Sequence, residues 1–247
     1  MAKEKNVYVC SECGQESPKW VGRCPSCGAW NTFKQMTVRA ASPAAGRAGG
    51  ALSGLIKSES RPVALSDISV EAETRISTND AEFDRVLGGG IVPGSLTLLG
   101  GEPGIGKSTL LLQTVLNMPG RKLLYVSGEE SERQIKLRAD RLSKATSECL
   151  LLCDTRLESI FMHLKDVRPD LLVIDSIQTI ACEALDASPG SVTQIRECAA
   201  AILKYAKESG VPVILIGHIT KDGSIAGPKV LEHIVDTVLQ FEGDRHY

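Results

Sequence analysis

The sequence predicts an α/β protein, with a mostly parallel sheet covered by helices on both faces and a small four-cysteine zinc ribbon in front of it. Three observations predict it. A phosphate-binding loop, Gly101-Glu102-Pro103-Gly104-Ile105-Gly106-Lys107-Ser108, lies between an apolar strand pattern and an apolar helix pattern. After it, continuous aliphatic runs alternate with helical periodicity, as strands buried on both faces require. Before it, two Cys-x-x-Cys pairs sit close together.

A chain of 247 residues is long enough for one large domain and one small one. The reading places the zinc ribbon at 1–34, a flexible linker at 35–61 and the nucleotide-binding domain at 62–247. Apolar residues make up 43% and aromatic ones only 4%, so the core is aliphatic. The net charge of −2 excludes a uniformly basic nucleic-acid binder. The charge is uneven, however. Residues 1–61 carry nine Lys/Arg against four Glu, net +5, and residues 62–247 carry nineteen against twenty-six acids, net −7. A basic front suits an anionic partner and equally suits a merely soluble tail. No apolar h-region follows Met1, and no apolar run approaches a membrane span. The expected compartment is cytoplasmic, with reduced thiols and no membrane partner.

The elements follow in order. Cys10-x-x-Cys13 and Cys24-x-x-Cys27, ten residues apart, can aim four thiolates at one Zn²⁺. Zinc with four thiolates lowers the charge of the front from +5 to +3, and the metal would supply the folding energy that so small a ribbon lacks. Trp20 and Trp30 can stack on bases or cover the metal site, and the second reading is favoured here. Ala40 to Gly54 has no period and reads as a tether. Asn79 or Asp80 caps a short helix, 81–87, that Gly88-Gly89-Gly90 stops. Ser95–Gly100 is the strand entering the phosphate loop, and Thr109 onward is the helix leaving it. The loop's N–H groups can cradle a polyphosphate, Lys107 can reach the outer phosphates and Ser108 can ligate Mg²⁺. Together the loop and Thr109 form the ATP site.

Further along, 122–127, 149–153, 170–175, 211–217 and 235–241 read as strands. Between them, 131–143, 156–167 and 191–209 read as helices, the first burying Ile135, Leu137 and Leu142. Cys149, Cys153, Cys182 and Cys198 lack ligand spacing and read as buried thiols. Ligands of such sheets sit beyond the carboxyl ends of the strands, where three polar groups fall. Asp175 closes an aliphatic strand, the Walker B pattern, and would hold Mg²⁺ through water or Ser108. Glu129 and Glu130 follow the strand 122–127, where a carboxylate can activate water or simply favour a helix N-terminus. His218 closes the strand 211–217, where it can sense a γ-phosphate or serve structure.

Several stretches together resemble the bacterial RadA (Sms) family of DNA repair proteins. They are Cys10-Ser-Glu-Cys13, Cys24-Pro25-Ser26-Cys27-Gly28-Ala29-Trp30-Asn31-Thr32, Gly101 to Thr109, Val126-Ser127-Gly128-Glu129-Glu130-Ser131, 216–223 and 233–244. The resemblance implies a RecA-like P-loop ATPase core that works as a hexameric ring with ATP between subunits. It implies single-stranded or branched DNA as partner, helicase-like branch migration of recombination intermediates, and cooperation with RecA recombinase. It puts Glu129 at the catalytic carboxylate position and His218 at the residue coupling γ-phosphate to two DNA loops, Ile180 to Thr193 and Ile219 to Lys229. Lys221 and Lys229 are the cations expected on phosphate. The family continues into a Lys-Asn-Arg-Phe-Gly motif, which makes in-trans contacts to a neighbour's ATP, and a Lon-protease-like domain. Neither occurs before Tyr247, so the chain reads as truncated. The alternatives are a RecA-fold switch ATPase acting on a protein partner and a metal-ribbon binding module regulated by its ATPase.

Overall fold

The computed structural model describes residues 4–10, 16–25, 28, 30–39, 63–67, 75–142, 147–218 and 231–243. Cys13, Cys27, Lys221 and Lys229 lie outside the described residues. The chain divides into two compact units, 1–68 and 69–247.

In the first unit, β1 (Glu4–Cys10) pairs antiparallel with both β2 (Glu16–Ser17) and β3 (Phe33–Arg39). The register runs from Glu4 opposite Arg39 to Cys10 opposite Phe33. It brings Cys10, Cys24 and Phe33 into one small buried cluster, against which Tyr8 and Val21 pack. Strand β3 continues five residues past the ribbon boundary at residue 34, to Arg39. Trp20 is 52% and Trp30 is 69% exposed, and neither belongs to the buried cluster. Cluster space is already taken by Phe33, Tyr8 and Val21.

The second unit is a six-stranded sheet of order β6-β5-β7-β8-β4-β9, every pairing parallel. Its strands are β4 (Leu96–Gly101), β5 (Lys122–Ser127), β6 (Glu148–Leu152), β7 (Leu171–Asp175), β8 (Val213–His218) and β9 (Thr237–Phe241). The central strands β4 and β7 are buried along their whole length, because helices cover both faces and water reaches neither. The outer strand β9 instead alternates half-buried and exposed positions.

The helices are α1 (Ala81–Val86), α2 (Lys107–Leu116), α3 (Glu132–Leu142), α4 (Leu157–Val167) and α5 (Val192–Ser209). Asp80, not Asn79, caps α1, its carboxylate accepting from the N–H groups of Glu82 and Phe83 at 3.0 Å each. Ser191 caps α5 and Gly210 ends it in the left-handed region. Among the described residues, no helix is long and apolar enough to cross a membrane.

Two burial expectations fail. Leu137 is 56% exposed, because α3 turns Ile135, Ala139 and Leu142 toward the core and Leu137 lies on the opposite side of that stripe. Cys153 is exposed, since β6 is an edge strand that ends one residue earlier, and Cys149 is only half-buried. Cys182 and Cys198 are buried, as expected. These contrasts predict unequal costs. Leu172→Ala, in the fully buried β7, should destabilise the chain by about 2–5 kcal/mol in urea unfolding. Leu137→Ala should stay within about 0.5 kcal/mol of the parent.

Candidate active site

The parallel register sets four chemical groups along one edge of the sheet. Gly101 pairs with His218 across β4 and β8, and Ser127 pairs with Asp175 across β5 and β7. The phosphate loop, Asp175, His218 and the turn carrying Glu129 therefore all leave the sheet at its carboxyl edge.

The loop runs from Glu102 to Gly106, and α2 begins at Lys107. Gly106, at φ 110°, takes a left-handed conformation that would strain any side chain. The first turn of α2 carries no acidic residue, so its N–H groups and dipole are left to an anion. Pro103, Gly104 and Ile105 form the arch, with Ser108 and Thr109 in the first helical turn. Lys107 is almost fully buried and bends back over the loop, donating to the carbonyls of Gly101 and Glu102 at 2.8 Å each. Burial pushes its pKa down, opposed by the negative charges of Asp175 and Glu129.

Asp175 is 6% exposed, and its Oδ2 accepts a 2.6 Å hydrogen bond from the Tyr125 hydroxyl. Burial pushes the phenol's pKa far up, and the Asp175 charge adds to this, so Tyr125 stays neutral and donates. Glu129 has its Oε1 engaged twice: the Ser176 hydroxyl donates to it at 2.6 Å, and His218 Nε2 lies 3.3 Å away. Burial alone would raise the Glu129 pKa, but the Ser176 and His218 hydrogen bonds and the charges of His218 and Lys107 hold it below the usual carboxylate range. Glu129 is thus an ionised base beside the phosphate loop. Glu130 turns the other way and pairs with Arg138 of α3. The two acids have diverged into a group facing the site and a group tying down a helix.

Gly128 allows this arrangement. Its N–H donates to the Asp175 carbonyl at 2.9 Å, and a Cβ there would lie 2.0 Å from Thr179 Oγ1, inside the 3₁₀ turn Ile177–Thr179. His218 Nδ1 is buried without a hydrogen-bond partner among the described residues.

Sequence reasoning missed Tyr125 and Ser176. The signal for Tyr125 was a hydroxyl in the middle of an otherwise aliphatic run, Leu123 to Val126. Ser176 adjoins the Walker B aspartate, and nothing in the sequence marked its target. Of the two loops expected on DNA, Ile180 to Thr193 is described. Its start is clamped by Gln194, whose Oε1 accepts from the Cys182 N–H at 2.8 Å and whose Nε2 donates to the Cys182 and Ala187 carbonyls at 3.0 Å. That loop carries Glu183 and Asp186 and no cation.

The donor sets suit the expected groups. Ser108 and Asp175 offer hard oxygen ligands at one edge, as Mg²⁺ prefers. Cys10 and Cys24 come from separate segments into one buried cluster, and soft thiols so placed suit Zn²⁺. The Cys24 carbonyl accepts from the Gly28 N–H at 2.9 Å, closing the turn that carries the second pair.

Comparisons with known proteins agree with both parts. Residues 8–35 match the rubredoxin metal binding domain family, and residues 59–224 match the AAA domain family. The chain is 49% identical over 249 residues to the DNA repair protein RadA of Bacillus subtilis, covering 100% of this chain and 54% of that one. It is 49% identical over 245 residues to the DNA repair protein RadA of Pseudomonas aeruginosa, covering 99% of this chain and 53% of that one. The chain therefore spans about half the length of these relatives. A KaiC-like protein from Pyrococcus horikoshii shares the fold, with a TM-score of 0.57 and 24% identity over 70% of this chain and 84% of its own.

The Glu129 environment yields a signed prediction. Ser176→Ala removes a hydrogen bond that lowers the carboxylate's pKa, so the acid limb of the pH–rate profile of ATP turnover should move to higher pH. Nucleotide affinity, measured by equilibrium binding, should not change.

Proposed function

The chain belongs to the AAA domain family, and from that premise we propose that it is an ATP hydrolase coupled to single-stranded DNA, the motor part of a DNA repair and recombination protein. The observation that carries the proposal is the ionised Glu129 carboxylate, held by Ser176 and His218 beside Lys107 and Asp175. The similarity to relatives named DNA repair protein RadA supports the choice of DNA.

In this reading the loop N–H groups and Lys107 hold the phosphates. The Lys107 ammonium exchanges the carbonyls of Gly101 and Glu102 for phosphate oxygens. Mg²⁺, held through Ser108 and Asp175, supplies charge neutralisation at the phosphates. Tyr125 fixes one oxygen of Asp175, which leaves the other for the metal or its water. Glu129 orients the attacking water and takes its proton, Oε1 staying on Ser176.

His218 supplies the coupling. Its Nε2 shares the Glu129 Oε1 with the Ser176 hydroxyl, and it is the last residue of β8, directly before the stretch 219–230. Movement of Glu129 toward water loosens His218. Phosphate contacts then fall to Lys221 and Lys229, because Ile180 to Thr193 has two carboxylates and no cation. The reading extends, through the family resemblance, to a hexameric ring with ATP between subunits, branch migration and cooperation with RecA. Cys10, Cys13, Cys24 and Cys27 hold Zn²⁺ in the ribbon.

The test is fluorescence anisotropy of a labelled oligonucleotide at low salt with no nucleotide, ADP or a non-hydrolysable ATP analogue. Binding should depend on nucleotide, Lys107→Ala should abolish that dependence, and Lys229→Ala should weaken DNA binding without weakening ATP binding. Equal affinity in all nucleotide states would sink the coupling and favour a switch acting on protein. Chelation of zinc should unfold residues 10–27, seen by proteolysis, and leave nucleotide binding intact. Loss of nucleotide binding on chelation would make the ribbon and the ATPase one folding unit.

A further inference from the structure

We propose that the face of the ribbon carrying Trp20, Arg23 and Trp30 is a stacking platform for single-stranded nucleic acid, separate from the loops that follow β7 and β8. Both tryptophans of the chain are here, and both are more than half exposed. They are the two largest apolar side chains of the unit, yet its core is built from Cys10, Cys24 and Phe33 with Tyr8 and Val21. Excluding them from so small a core forfeits burial that the ribbon needs, which points to a use for the rings outside it.

The rings are held in place. Arg23 and Trp30 form an antiparallel bridge, and the Asn31 N–H donates to the Gly22 carbonyl at 2.8 Å. The Trp20 ring lies over Gly22, where an added Cβ would sit 3.6 Å from it. Arg23 Nε donates to the Gly28 carbonyl at 3.1 Å, and its guanidinium carbon lies 5.8 Å from the Trp30 ring centroid. The turn thus presents two fixed π-faces and a fixed cation. Between Pro18 and Asn31 the chain carries Lys19 and Arg23 and no carboxylate.

Flat π-faces beside cations, on a segment that carries no carboxylate, fit a ligand with its own π-faces and negative charge. A nucleic-acid strand has both at every residue. An apolar protein partner would be served by the rings but not by the cations beside them.

The inference takes its ligand class from the DNA reading, but it stands on the ribbon and needs no nucleotide. Because both tryptophans of the chain lie here, tryptophan emission excited apart from tyrosine reports on this face alone. The experiment titrates the full chain with oligo(dT) at low salt without nucleotide and follows tryptophan emission and oligonucleotide anisotropy together. Saturable quenching that weakens as salt rises is expected. Trp30→Ala should lower affinity about 5- to 150-fold, the range for losing one stacked base. Trp30→Tyr, which keeps a π-face, should restore most of it, separating stacking from folding. Quenching that persists in Lys107→Ala supports the platform even where ATP coupling fails. Oligonucleotide binding with unchanged emission, or wild-type affinity in Trp20→Ala/Trp30→Ala, overturns the platform and leaves the DNA reading standing. Unmoved emission and anisotropy overturn it as well, and leave the face to a protein partner.

Discussion

Parallel register is the constraint on which the rest of the second unit depends. Because β4 is in step with β8, and β5 with β7, the groups that leave these strands do so at one edge of the sheet. No residue in the site need be near another in sequence. Ser176 and Glu129 are 47 positions apart, and His218 and Glu129 are 89 apart. A slip of one residue in β7 would turn Asp175 to the opposite face and take Ser176 away from Glu129. The aliphatic side chains that fix this register are therefore as much a part of the site as the polar ones it exposes.

Within that frame, charge is balanced locally. Lys107 is a buried cation facing two carboxylates, Asp175 and Glu129, and each of those has a neutral hydroxyl donor of its own, Tyr125 or Ser176. Hydroxyls hold the acids in place without neutralising them, so the negative charge stays available for a metal and for a proton. His218 is the one shared element. Glu129 cannot change its hydrogen bonding without changing that of the residue that ends β8.

Much of this was legible in the sequence, for identifiable reasons. Burial on both faces writes a strand as an uninterrupted aliphatic run, so β4, β5, β7 and β8 could be located to within two residues. Local chemistry writes caps and loops, so Asp80, as one of two candidates, and the phosphate loop were visible. Burial within a half-exposed helix was harder, because Leu137 and Ile135 look alike until the neighbouring sheet selects a stripe. The exposure of Trp20 and Trp30 was not legible, because a ribbon so short gives no pattern from which to tell its inside from its outside. Which of Glu129 and Glu130 faces the site depends on Ser176 and Arg138, partners that only the folded chain supplies. The Tyr125 contact with Asp175 is likewise a product of pairing across 50 positions.

One neighbour of the phosphate loop comes from far along the chain. Strand β9 pairs with β4, and the Phe241 carbonyl packs so closely on Gly101 that an added Cβ would lie 2.6 Å from it. During synthesis from the N-terminus, β4 leaves the ribosome roughly 140 residues before the strand that will flank it. Until then the sheet has an open edge directly beside its most sensitive loop. The nascent chain can thus carry every residue of the phosphate-binding motif and still lack the wall that shapes it. Competence for nucleotide waits until β9 has emerged and paired with β4.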